Sequence, residues 1–220
     1  MLRSFSINDI YMLLTAMQWT LALSGIALVG GGIFGLAIAF ARASDVRPLR
    51  WVAAVFILLF QGTPLLMQLF LVYFGAAVFG LDINVWLAAA IGLTLHASAF
   101  LGEIWRGCIQ AIGKGQSEAA VALSLGYVKR MRYVVVPQAA KIASAPTVGF
   151  LVQLIKGTSL TALIGFVELT RAGQIINNNT FQPFLVFGLV GAGYFILCWP
   201  ISMAAGYLEN RYAVNGHPAR

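Results

Sequence analysis

The sequence predicts an all-α integral membrane protein of about five transmembrane helices, N-terminus outside and C-terminus cytoplasmic. Three observations carry this expectation. The 220 residues are 60% hydrophobic and only 10% charged, whereas soluble domains are nearer about 25% charged. Five long apolar stretches follow one another along the chain. The basic residues gather in alternate connections between those stretches.

The apolar stretches cover 19–41, 51–74 and 85–104, a fourth starting near 142 and running past 155, and 184–205. A helix crosses the hydrocarbon core in about 20 residues. Helices are required because lipid offers no partner to open backbone groups. The first, second and fifth stretches read as clear spans. The third carries Glu103 at its end, and Lys156-Gly157 interrupts the fourth, leaving its far boundary open. Arg3 and the Ala39-Phe40-Ala41 tripeptide resemble parts of a signal peptide. The apolar run is too long for one and positive charge follows it, so an uncleaved first span is expected. Gly25, Gly30, Gly31, Gly32 and Gly35 lie in that span and are expected to allow close approach of a neighbouring helix.

Lysine and arginine set the orientation. Arg42, Arg47 and Arg50 follow the first span, and Arg106, Lys114, Lys129, Arg130, Arg132 and Lys141 follow the third. With Arg211 and Arg220 in the tail, eleven of the fourteen basic residues share one side, expected to be cytoplasmic. Arg3, Lys156 and Arg171 are left for the other. The chain is thus divided into an extracytoplasmic segment 1–18, a transmembrane domain 19–208 containing a cytoplasmic loop 107–141, and a cytoplasmic tail 209–220. A net charge of +7 follows from this topology, and no nucleic-acid partner is expected. Cys108 and Cys198 have neither CxxC nor metal-ligand spacing and read as buried thiols. No metal is expected.

The loop after the third span is the most informative stretch. Gly113 and Gly115 break the preceding helix. Ser117 is the expected N-cap of a short helix with Glu118 in its first turn, and Ala119, Ala120 and Ala122 favour helix. Pro137 is expected to stop or redirect the chain. Two uses stand open for so short a helix, an ordinary surface element or a plug for a partner's groove.

Polar groups inside spans are costly and mark functional candidates. In the second stretch these are Gln61, Thr63 and Gln68. Pro64 frees the carbonyl near Phe60, which either lines a polar path or is satisfied by the Thr63 hydroxyl. In the third, His96 and Ser98 are either substrate contacts or structural hydrogen-bonders. Glu103 and Arg106, spaced i, i+3, pair on one helix face, or else Glu103 meets a cationic amino group in a path. Glu168 and Arg171 repeat that spacing. Lys156 with Thr158 and Ser159 forms a gate that suits a carboxylate, or Lys156 snorkels to the interface. Thr147-Val148-Gly149-Phe150 lacks the context of a potassium filter, and no catalytic triad or carboxylate pair is present.

Glu118-Ala119-Ala120 through Val134-Val135-Val136-Pro137 resembles the EAA loop of ATP-binding-cassette importer permeases: Glu-Ala-Ala, three residues, Gly, nine residues, Ile-x-Leu-Pro. Ser124 stands at the glycine position, with Gly126 two residues later, and Val134 and Val136 replace Ile and Leu. Gln61-Gly62-Thr63-Pro64-Leu65-Leu66-Met67-Gln68-Leu69 is similar to the second-span motif of the polar amino-acid branch. Glu103-Ile104-Trp105-Arg106-Gly107 with Lys114-Gly115-Gln116 is similar to a further motif of that branch. Lys156-Gly157-Thr158-Ser159-Leu160 resembles its Lys-Asp-Thr-Ser-Leu motif with Gly157 at the aspartate, and Glu168-Leu169 also fits. The resemblance covers roughly 15–210.

It implies a translocation subunit of an amino-acid importer, with a second permease chain, a dimer of ATPases docking at Glu118, Ala119, Ala120, Ser124, Gly126 and Pro137, and an extracytoplasmic amino-acid-binding protein. ATP and magnesium would belong to the ATPase, and this chain is expected to hold no cofactor and catalyse no reaction. Gly113-Lys114-Gly115 is accordingly not a Walker sequence. An ion-coupled secondary carrier and a membrane scaffold without a path are the competing expectations.

Overall fold

A computed structural model describes residues 3–212, all of whose regular elements are helical. Helix α1 spans Ile7–Ala43, α2 Arg47–Gln61, α3 Leu65–Val78 and α4 Val85–Gln110. Two short helices follow, α5 Lys114–Ala122 and α6 Tyr127–Arg130. A π turn at Met131–Val135 leads into α7, Val136–Gly157, which tightens into a 3₁₀ stretch, Thr158–Ile164. Helices α8, Leu169–Thr180, and α9, Pro183–Tyr212, complete the chain. Residues 213–220, with Arg220 and most of the expected tail, lie outside the described residues.

Four helical runs are long and apolar enough to span a membrane: Ile7–Ala43, Val85–Gln110, Tyr127–Ile164 and Pro183–Tyr212. The bent pair α2 and α3 brings the number to five. The second stretch is therefore not the plain span its composition suggests. It breaks between Gln61 and Leu65 with a 102° bend, because Pro64 cannot donate to the carbonyl four residues back and its ring clashes there. The spans also outrun their apolar cores. At 37 residues, α1 is about 55 Å long, well beyond a hydrocarbon layer of about 30 Å.

Pro137 neither stops nor redirects the chain. The run from Tyr127 to Ile164 passes through it, and the π turn just before it, closed by the Val136 N–H on the Met131 carbonyl, supplies a wider turn. Nor does Gly157 interrupt the run. A Cβ there would stand 3.1 Å from Leu65 Cδ2, so its smallness lets α3 lean on α7. The run ends at Gly165, whose φ of 94° suits glycine alone.

The main core lies where α1 crosses α4. A Cβ at Gly31 would lie 2.4 Å from Ala97 Cβ, and one at Gly35 would lie 3.1 Å from Gly102 N. The two helices thus touch backbone to backbone, as small residues permit in lipid. Gly31 meets Ala97 and Gly35 meets Gly102, so α1 and α4 run parallel and the bent pair makes the return crossing. Leu23, Ala27, Leu93, Ala97 and Leu101 are fully buried in this seam. The first turns of α1 pack with α8 and α9 through Leu13, Ala16, Leu169, Ile176 and Val190. Arg3 pairs with Asp9 at that end, and the Asp9 carboxylate accepts the Ser6 backbone N–H at 2.8 Å. Both cysteines are buried and free.

Candidate functional site

Two regions collect the candidate residues. The first is the protruding segment after α4. Helix α5 begins at Lys114 with Gly113 as its N-cap, so Ser117 is not the cap and Glu118 lies past the first turn. The chain turns at Ala111 and Ile112, Gly113 precedes α5 with a ψ of 136°, and Gly115 lies inside that helix, which starts without a side-chain cap. Ala120 points inward and is 2% exposed, while Glu118 and Ala119 face outward. Val121, Leu123 and Val128 are outward as well, Leu123 being 75% exposed.

Ser124 closes this helix. Its φ is +59°, its N–H donates to the Val121 carbonyl at 2.8 Å, and the Leu125 N–H donates to the Ala120 carbonyl at 3.0 Å. This is a Schellman ending with Ser124 at the left-handed position, where glycine is the residue of least strain. Gly126 does not substitute for it, since its φ is −63°. Tyr127 then reaches back, its hydroxyl donating to the Ala43 carbonyl at 3.4 Å. The protruding segment therefore sits at the α1–α2 end of the bundle, the end that gathers Arg42, Arg47 and Arg50. Pro137 lies at the start of α7.

The second region follows the break between α2 and α3. The Gln68 Nε2 donates to the Phe60 carbonyl at 2.7 Å and approaches the Thr63 carbonyl and hydroxyl, each at 3.0 Å. The carbonyl freed by Pro64 is thus answered by Gln68. The Thr63 hydroxyl bonds Leu59 instead, at 2.8 Å. With Nε2 committed to acceptors, Oε1 of Gln68 must accept, so His96 Nδ1, 3.0 Å away, carries the proton. Gln68 is buried, while Gln61, Thr63 and Pro64 are exposed.

His96, Phe100 and Glu103 form one stripe along α4 at i, i+4 and i+7. The His96 ring lies 4.5 Å from Phe100, which stacks on Phe150 of α7 at 5.6 Å. Below them Gln61, Phe100, Glu103, Arg106 and Pro146 border a recess of about 420 Å³. Glu103 and Arg106 form an ion pair, and Arg106 also donates to Gln110. Phe100 and Phe150 are the residues that reading the sequence missed. The four-residue step from His96 marks Phe100, but nothing local marks Phe150.

The other candidates stand apart. Ser98 is buried in the α1–α4 seam, its hydroxyl on the Leu95 carbonyl at 2.7 Å, away from the His96 stripe. Lys156 is exposed at the opposite end of α7. The Thr158 and Ser159 hydroxyls cap the Ile155 and Lys156 carbonyls, each at 2.7 Å, as freed backbone groups in a span require.

Glu168 and Arg171 do not form the expected ion pair. Glu168 is the N-cap of α8, its carboxylate accepting the Thr170 and Arg171 backbone N–H groups, each at 2.9 Å. The Arg171 guanidinium turns to Gln174. Tyr194 of α9 donates to the same carboxylate at 2.6 Å. Glu168 is fully buried, and these three hydrogen bonds satisfy its carboxylate.

A family model described as binding-protein-dependent transport system inner membrane component matches residues 10–214. The chain is 36% identical over 195 residues to the probable amino-acid ABC transporter permease protein YckA of Bacillus subtilis, covering 89% of this chain and 86% of that one. It is 31% identical to the probable glutamine ABC transporter permease protein GlnM of the same species, covering 94% and 96%. A solved structure described as a crystal structure of an amino acid ABC transporter with histidines superposes with a TM-score of 0.88 at 33% identity, covering 93% of this chain and 96% of its counterpart.

Proposed function

The chain belongs to the family of binding-protein-dependent transport system inner membrane components, and from that premise we propose that it carries amino acids and takes its driving force at α5. It is a translocation subunit of an ATP-binding-cassette importer, a multi-pass protein of the bacterial inner membrane and not an enzyme. Such a subunit works with an ATPase and a substrate-binding protein.

In this reading a separate ATPase dimer binds ATP and magnesium and seats α5 and its surroundings in a groove. A second permease chain, the same or homologous, completes the path. A binding protein delivers the amino acid from outside, where the N-terminus lies. The observation that carries the docking is the outward face of α5, with Glu118, Ala119, Val121 and Leu123 exposed beyond the last turn of α4. Apolar side chains with no partner in the chain itself mark an interaction surface. The long run from Tyr127 to Ile164 supplies a rigid connection from that surface into the spans. Gln61, Phe100 and Glu103, with His96 above them, form the path-lining set, and a cationic amino function competes with Arg106 for the Glu103 carboxylate. Lys156, Thr158 and Ser159 are assigned to an outer gate.

Co-purification with the cognate ATPase tests the docking. Glu118→Lys and Leu123→Asp are each expected to reduce recovered ATPase and amino-acid uptake together. Full recovery and full uptake in both variants would refute this role for α5. An ion-coupled carrier would instead transport in liposomes without the ATPase.

A further inference from the structure

The corner between α1 and α2 carries a basic recess that the transport reading leaves unused. Arg42, Arg47 and Arg50 border it with Trp51, around a volume of about 560 Å³. Among the described residues the only ion pairs are Arg3–Asp9 and Glu103–Arg106, so none of these three arginines is paired, and Asp45 in the same loop engages none of them. Nε of Arg42 is buried and has no hydrogen-bond partner among the described residues.

A second crevice joins the recess at Val52. It holds about 370 Å³ between α1, α2 and α4, bordered by Phe34, Ala37, Ile38, Ala53 and Phe56. Its walls are almost wholly apolar. Trp51 is 70% exposed at the end of an apolar helix, where interfacial tryptophans sit. Cationic recess and apolar crevice thus meet at the membrane boundary, and a ligand that fills both has an anionic head and a hydrocarbon tail.

We propose that this corner binds an anionic phospholipid, with its phosphate on Arg42, Arg47 and Arg50 and one acyl chain in the crevice between α1, α2 and α4. The phosphate supplies the counter-charge that these three arginines lack among the described residues. Binding does not depend on the role given to α5. Its consequence does, because Ala43, next to Arg42, receives the Tyr127 hydroxyl from the protruding segment. An occupied site steadies the corner on which that segment leans.

The test uses the permease purified with its ATPase, exchanged into mixed micelles of phosphatidylglycerol and phosphatidylcholine. Retained lipid is counted by native mass spectrometry. Wild type is expected to enrich phosphatidylglycerol, and Arg47→Gln and Arg50→Gln each to weaken its retention about fivefold. Arg50→Lys, which keeps the charge, is expected to restore most of it and serves as the folding control. Ala37→Phe fills the crevice from an exposed position and is expected to lower phospholipid retention with all three arginines intact. Inorganic phosphate at millimolar concentration is expected not to displace the lipid. Equal retention of the two lipids, indifference to the arginine variants, or full displacement by free phosphate with Ala37→Phe inert would each overturn the proposal, the last in favour of a simple anion site.

Discussion

The Gln68 amide oxygen accepts the His96 Nδ1–H at 3.0 Å, joining the broken second span to the fourth helix. The other end of the same amide answers the Phe60 carbonyl that Pro64 cannot reach. One side chain therefore holds the break and positions the ring that heads the α4 stripe.

Gln68→Leu is expected to lower stability by about 1–3 kcal/mol, the cost of leaving a part-buried carbonyl without a donor and the His96 Nδ1–H without an acceptor. His96→Phe keeps the stack on Phe100 and leaves the Phe60 carbonyl bonded, so a smaller loss of about 1 kcal/mol is expected. Thermal unfolding in detergent checks the order of the two. A larger loss for His96→Phe would contradict it.

Ser124→Gly is expected to stabilise the end of α5 by up to about 1 kcal/mol, since the left-handed penalty of about 1–2 kcal/mol for an L residue exceeds the extra chain entropy of glycine. Ser124→Val is expected to destabilise it, because a β-branched residue resists positive φ. Limited proteolysis between Val121 and Tyr127 reads both, with slower cleavage for glycine and faster for valine.

Gly31→Leu drives a side chain into Ala97, where even a Cβ has 2.4 Å. A loss of about 1–3 kcal/mol or more is expected from such overpacking. Gly25→Ala, with nothing within 4 Å of the new Cβ, is expected to leave the melting temperature unchanged or slightly raised. Equal behaviour of the two would argue against close approach of α1 and α4.

The bundle orientation is open to direct labelling. Cysteine at Asp82, between α3 and α4, is expected to react with an impermeant reagent added outside, and cysteine at Arg47 is not. The opposite pattern would invert the topology while leaving the family membership untouched.

Much of the site was legible because its signals are local. A proline removes one donor wherever it stands, so Pro64 marks a freed carbonyl near Phe60 in the sequence alone, but the 102° break there belongs to the structure, since composition reads the stretch as one plain span. What answers the freed carbonyl is not local. Thr63 stands beside it in sequence, yet Gln68 makes the bond, because the bend returns α3 toward the end of α2. Glu168 and Arg171 show the same limit: spacing allowed an ion pair, but a helix begins between them and its backbone N–H groups claim the carboxylate.

The sequence by itself determined the solvent, the approximate number of spans, the clustering of basic residues and the family, since each rests on composition or on order along one chain. Tertiary structure decided which spans run parallel, which face of α5 is presented, where Ser124 bends backward and which aromatic rings flank His96. The parallel pairing of α1 with α4 and the approach of Phe150 to the His96 stripe depend on contacts between residues far apart in sequence. Such contacts are chosen by packing, where a glycine against an alanine or a hydroxyl against a carbonyl counts only once the helices have met.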